Sequence, residues 1–160
     1  MAKQRQVHGH ISQHLRQQKN YCFACGKDNP QGMHLNFYYD EARKRFLCRV
    51  RLPHRYQGPP GHAHGGIIAT ILDEAMGKVN KIRSVVALTS EMQVKYLRPV
   101  PLGKTLLVEA RERRVRGRKH INIAEIRDRR GEVLARGRAV FIAIDAEKMF
   151  AKQLRNRGQR

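Results

Sequence analysis

Tryptophan is absent from this 160-residue chain, and aromatic residues make up only 6% of it. A platform that stacks nucleic-acid bases needs such rings at intervals, so nucleic acid is not expected to be the primary partner. Acids are scarce as well: 13 Asp and Glu stand against 33 Lys and Arg, for a formal net charge of +20. Such a field favours phosphate-bearing or otherwise anionic partners without choosing among them. Cysteines number three, too few and odd for a disulfide framework. That suits a reducing compartment, and a cytoplasmic location is the expectation. No stretch approaches the ~20 apolar residues of a membrane span.

What is present divides the chain into three parts. Residues 1–20 read as a basic arm without acids, residues 21–145 as one folded domain, and residues 146–160 as a basic tail ending in turn formers. Within the domain, "MHLNFYYD" and "KRFLCRVRL" read as two strands around the polar turn "EARK". A proline-rich loop over 53–63 precedes a helix over 65–81. Four further strands follow, the last three separated by turns at Gly117 and at Arg130-Gly131. Strands, one long helix, then more strands is an α+β order, with the helix wrapped by one curved antiparallel sheet.

The helix holds the chemistry. At 100° per residue, Ile67, Ile68, Ile71, Leu72, Ala75 and Val79 share one arc, which is the core face. Glu74, Lys78 and Lys81 share another, where Glu74 and Lys78 form an i,i+4 pair and Glu74 is expected to be solvated. Asp73 belongs to neither arc; its wheel neighbours are Ala69, Thr70, Met76, Gly77 and Asn80. Mostly small residues there admit a second backbone or a ligand close to the carboxylate. At the helix start, Gly65 and Gly66 present backbone N–H groups that no side chain shields, where an oxygen bearing negative charge can dock. His64 precedes them.

Three segments, "CFACGKDNPQGMHL" (22–35), "HGGIIATILDEAMG" (64–77) and the stretch from Lys95 through "YLRPVPLG" (96–103) to Phe141, resemble the hotdog-fold acyl-CoA thioesterases of the PaaI-like family. The resemblance implies a homodimer or a dimer of dimers, with each active site between two subunits. It implies acyl-CoA as substrate, with a fatty or aryl acyl chain, and no metal or cofactor beyond the coenzyme A of the substrate. The family's catalytic carboxylate falls on Asp73, and its backbone oxyanion donor on Gly65 of the opposite subunit. Its water-placing hydroxyl falls on Thr89, and its histidine on His64. Gly66, His54 and His62 flank the site, and Arg98, Arg116, Arg118 and Arg136 are candidates for the coenzyme A phosphates. An asparagine found in some members six residues before the histidine is Gly58 here, so His54, His62 or Thr89 would share its role.

Other readings compete. An acyl-CoA sensor would bind without hydrolysis, and a hotdog dehydratase would use a catalytic histidine such as His64. The Arg-rich "RERRVRGRKH" (111–120) could track nucleic-acid phosphates. Cys22-x-x-Cys25 has zinc-type spacing but no second pair, with only His34 and Cys48 nearby in sequence, so no metal is expected.

Overall fold

The structure, a computed structural model, describes residues 19–155. Residues 1–18 of the arm expected over 1–20 and the last five residues of the tail therefore lie outside the described residues. Two strands open the fold, β1 (Tyr38–Asp40) and β2 (Arg45–Arg51), joined by the turn read from "EARK". A short 3₁₀ turn at His54–Tyr56 leads to helix α1 (Gly65–Val79), which tightens into 3₁₀ over Asn80–Arg83. Strands β3 (Val86–Tyr96), β4 (Thr105–Arg116), β5 (Lys119–Arg127) and β6 (Val133–Ile144) follow. A second helix, α2 (Ala146–Arg155), occupies part of the segment read as tail.

All strand pairs are antiparallel, and the sheet order is β1-β2-β4-β5-β6-β3. The α1 crossover thus carries the chain from β2 to the far edge, and α1 packs against β2 through β6. Gly117 and Gly131 take positive φ at the two hairpin turns, a conformation that costs glycine little.

Alternation decides which face meets the helix. In β4, Leu106, Val108 and Ala110 are fully buried, as are Ile126 on β5 and Ala135 on β6. The first strand is shorter than read: residues 33–37 are not in a strand, and only Tyr38–Asp40 pair with β2. Met33 and Leu35 instead donate their N–H groups to the carbonyls of Phe23 and Ala24, so this segment fastens the N-terminal turn.

Two residues of α1 depart from the wheel. Met76 is fully buried rather than in the seam beside Asp73. Gly137 of β6 makes its place: a Cβ there would sit 2.9 Å from Met76 Cε and 3.2 Å from Leu72 Cβ. Glu74 is not solvated, because the Cys22–Cys25 turn covers it. Its carboxylate pairs with Lys78 at 2.7 Å and faces Cys22 Sγ at 3.8 Å. Burial alone would raise its pKa, but the Lys78 charge and the hydrogen bonds from Cys25 and Lys78 hold it below the usual carboxylate range.

Candidate active site

His64 builds the start of α1. Its backbone is extended, and its Nδ1 accepts the Gly66 N–H at 3.0 Å. Its carbonyl takes the N–H groups of Ile67 and Ile68. One residue therefore satisfies two of the four N-terminal donors, Gly66 and Ile67, and its own N–H, a third, goes to the Tyr56 carbonyl. With Nδ1 engaged as acceptor, the neutral ring carries its proton on Nε2. The Gly65 N–H is the fourth donor, and it has no hydrogen-bond partner among the described residues. It sits at the positive end of the helix dipole.

Gly65 opens on a cleft of about 370 Å³ whose walls include Pro59, His62, Ile68, Tyr96, Leu97, Arg98 and Pro99. Tyr96, to which the sequence reading gave no role, lies over Gly65 and donates its hydroxyl to the Gly65 carbonyl at 3.1 Å. Its only sequence signal is its place at the head of "YLRPVPLG". A Cβ on Gly65 would meet the Tyr96 ring at 3.6–3.7 Å, ordinary van der Waals contact. Nothing within the protomer thus demands glycine at 65.

Gly58 is different. A Cβ there would lie 2.8 Å from His64 Cα, so the loop holding the helix cap has no room for an asparagine at that position.

Eight residues along α1, about 12 Å by helical rise, Asp73 is half-buried and accepts a 2.7 Å hydrogen bond from Thr89 Oγ1. Thr89 comes from β3 immediately before an irregularity: Thr89 pairs with Phe141, and Glu91 with Val140, leaving Ser90 as the extra residue. Such bulges re-aim side chains, and Thr89 lies on the helix-bearing side of the strand. Asp73 and Thr89 thus meet, while Gly65 stands too far away along the same helix to share one carbonyl with them.

The remaining candidates scatter. His62 lies in the cleft wall with its Nδ1 2.9 Å from the Pro60 carbonyl. His54 is exposed in the preceding 3₁₀ turn. Arg98 is in the cleft and ion-paired with Glu132. Arg116 and Arg118 flank the β4–β5 turn, where Arg118 Nε donates to the Ala143 carbonyl at 3.0 Å. That turn lies toward the other end of α1, since Asn122 of β5 donates to the Met76 carbonyl and to Asn80. Arg136 falls between core-facing Ala135 and Gly137, hence on the opposite face of the sheet, and pairs there with Glu125 at 2.7 Å. Nearness in sequence did not bring these three arginines to the Gly65 cleft of their own chain.

Comparison with known proteins agrees with this architecture. The Thioesterase superfamily pattern matches residues 60–135, which include the helix start, Asp73 and Thr89. Acyl-coenzyme A thioesterase THEM4 of Mus musculus is 31% identical over 118 residues, 73% of this chain and 51% of that protein. The Xenopus laevis THEM4 is 29% identical over 114 residues, 71% of this chain and 51% of that protein. The chain spans about half the length of the curated relatives it matches. Among solved structures, a protein of the thioesterase superfamily superposes with a TM-score of 0.73 at 28% identity, over 77% of this chain and 60% of the other. The Escherichia coli PaaI protein of the phenylacetic acid degradation operon gives 0.63 at 19% identity, over 69% and 83%, a likeness of fold alone. By its sequence pattern over residues 60–135 and its six-stranded sheet around one central helix, the chain carries a thioesterase superfamily domain and has the hotdog fold.

Proposed function

We propose that the protein hydrolyses the thioester of an acyl-CoA, releasing the free acid and coenzyme A, in a site shared by two copies of the chain. The observation that carries this reading is the division of labour along α1. An N–H at Gly65 that has no partner among the described residues and a hydroxyl-held carboxylate at Asp73 are the two halves of an acyl-transfer site. About 12 Å separates them in one chain, whereas a reacting carbonyl must lie roughly 3 Å from the N–H and within reach of the carboxylate directly or through one water. A second copy that lays its Asp73 against this Gly65 completes the site.

The partner surface fits the same reading. Strand β3 is an edge of the sheet, eleven residues long, and carries Leu88, Met92 and Tyr96 exposed. A long, apolar, unpaired edge favours strand pairing with another chain. Curated relatives named acyl-coenzyme A thioesterase support the substrate class.

In the reaction, the thioester oxygen docks on the Gly65 N–H, which stabilises the charge that develops there. Asp73, oriented through Thr89, serves as general base: water gives it a proton as the new C–O bond forms. The C–S bond then breaks, and the coenzyme A thiolate leaves and is protonated. A second route fits the same carboxylate, in which Asp73 attacks directly to form a mixed anhydride that water cleaves. Neither route draws on a metal or an organic cofactor. Arg98, in the cleft beside Gly65, is the arginine best placed for a coenzyme A phosphate. The three free cysteines accord with a reducing, cytoplasmic setting.

The test is hydrolysis of a panel of fatty and aryl acyl-CoAs by purified protein, followed by free thiol release. Asp73→Asn should lower kcat by about 10²–10⁴-fold with an unchanged circular dichroism spectrum. Near wild-type turnover in that variant would remove Asp73 from the mechanism. Single turnover in ¹⁸O-water tests the second route, because label in Asp73 requires an anhydride whose Asp73 carbonyl is attacked by water.

A further inference from the structure

The N-terminal turn carries chemistry that thioester hydrolysis does not use. The thiols of Cys22 and Cys25 and the carboxylate of Glu74 converge until one ligand atom from each lies within 4.8 Å of the others. Some fifty residues of chain separate the two cysteines from Glu74, so tertiary structure assembles this set. Turn geometry is closely held. Gly26 N–H donates to the Cys22 carbonyl at 2.8 Å, and a Cβ on Gly26 would lie 2.5 Å from three backbone atoms. The Cys22 N–H is fixed by Asn20 Oδ1 at 3.0 Å, and the Asn20 N–H by Asp28 at 2.6 Å.

We propose that Cys22, Cys25 and Glu74 form a binding site for one divalent ion of the zinc class, with water as the fourth ligand. Two arguments carry it, spacing and charge. Tetrahedral zinc, with bonds of about 2.3 Å to sulfur and 2.0–2.2 Å to oxygen, sets its ligand atoms about 3.6–3.8 Å apart. Cys22 Sγ already lies 3.8 Å from Glu74 Oε2, and closing the rest of the set needs a shift of at most about 1 Å.

Charge balances in both states. Glu74 uses its other oxygen, Oε1, to hold Lys78, whose ammonium also reaches Cys25 Sγ at 3.0 Å. With protonated thiols, Glu74 and Lys78 cancel. On binding, two S–H bonds break and two protons pass to solvent, while two Zn–S bonds and one Zn–O bond form with no change of oxidation state. Two thiolates and a carboxylate then face a dication and the Lys78 ammonium, again neutral among these groups, with the Lys81 ammonium nearby in both states. Lys78 stays as a hydrogen-bond donor to the Cys25 thiolate, the outer partner that orients such ligands. Cys22 is exposed, so the ion has a route in from solvent.

The probe is Co²⁺, added to the reduced, chelator-treated full chain and then displaced by Zn²⁺. One equivalent should bind, with tetrahedral visible bands and a thiolate-to-cobalt charge-transfer band, and Zn²⁺ should raise Tm progressively with its concentration. Cys22→Ser and Cys25→Ser should each roughly halve the charge-transfer band, and these variants and Glu74→Gln should each weaken binding at least tenfold. Cys48→Ser should change neither property, since Cys48 lies elsewhere in the core. Should a serine variant fail to fold, the wild-type spectrum still decides. Weak octahedral absorption without charge transfer would assign the ion to other groups, such as His8, His10 and His14 of the sequence, and overturn the proposal. So would full binding by the Cys22→Ser/Cys25→Ser double variant. Reduced protein that takes up no metal but forms a Cys22–Cys25 disulfide on oxidation would overturn it equally.

Discussion

Gly65 is where two physical demands on one residue oppose each other. Helix propensity favours alanine by about 0.5–1 kcal/mol at an unstrained helical position, and the Tyr96 ring leaves ordinary contact distance for a Cβ. The proposed oxyanion contact favours glycine. Gly65→Ala should therefore melt at an equal or higher temperature while kcat falls about 10²-fold. Thermal melts and kinetics on one preparation read both effects, and a destabilised variant would point to backbone packing instead. His120 sets up a different test. It is buried on β5 with Nδ1 unpartnered among the described residues, and Glu112 and Arg83 are the charged groups that act on it. Burial lowers its pKa below 6.5, the Arg83 charge lowers it further, and Glu112 opposes both. The unfolded chain then binds the proton more readily than the folded one. Stability from this group is fully present above the unfolded pKa and falls as pH drops from there toward the folded pKa. Melts between about pH 5 and 8 should show Tm falling on acidification, with a flatter slope in His120→Gln. An unaltered slope in that variant would exclude His120 as the source.

At the scale of elements, the site depends on how closely α1 approaches the sheet. Gly137 of β6 sets that approach, since Leu72 and Met76 of the helix fill the space a side chain would need. Gly137→Ala should cost about 1–3 kcal/mol of stability through overpacking, visible as a lower midpoint in urea unfolding. Met76 Cε can swing aside, but Leu72 Cβ is fixed to the helix backbone, so relief is partial. An unchanged midpoint would mean that the helix shifts freely. The Ser90 bulge belongs to the same scale. It lies one residue beyond Thr89, where β3 changes register against β6, and Thr89 meets Asp73 from there. A propensity reading of "ALTSEM" gives a strand and no bulge, because bulges arise from how two strands share hydrogen bonds.

The whole molecule adds what no single chain supplies. If Asp73 and Gly65 act across an interface, Asp73→Asn protein and Gly65→Pro protein should each be inactive alone. Proline at 65 removes the donor and is tolerated in the first helical turn. Mixed and allowed to exchange, they should form heterodimers in which one of two sites holds both intact parts. Up to about a quarter of wild-type activity should return at equal mixing, since half the dimers are mixed and each has one complete site. No recovery despite proven subunit exchange would place both groups in one subunit's site, against the 12 Å helical spacing.

The amino-acid order alone determined the succession of strands, helix and strands, through hydrophobic period and turn residues. It also singled out Asp73, because helical geometry is regular enough that a carboxylate off the core arc can be found by counting. His64, Gly65 and Gly66 were visible for the same reason, as the residues where the period begins. Tertiary structure decided what counting cannot reach. It covered Glu74 with a turn some fifty residues away, where the wheel had it facing water. It buried Met76 against a glycine of β6, placed Tyr96 over Gly65, and turned Arg136 to the far face of the sheet. Each of these depends on which strand lies beside which, and that order, β1-β2-β4-β5-β6-β3, is set by packing around the helix rather than by nearness along the chain.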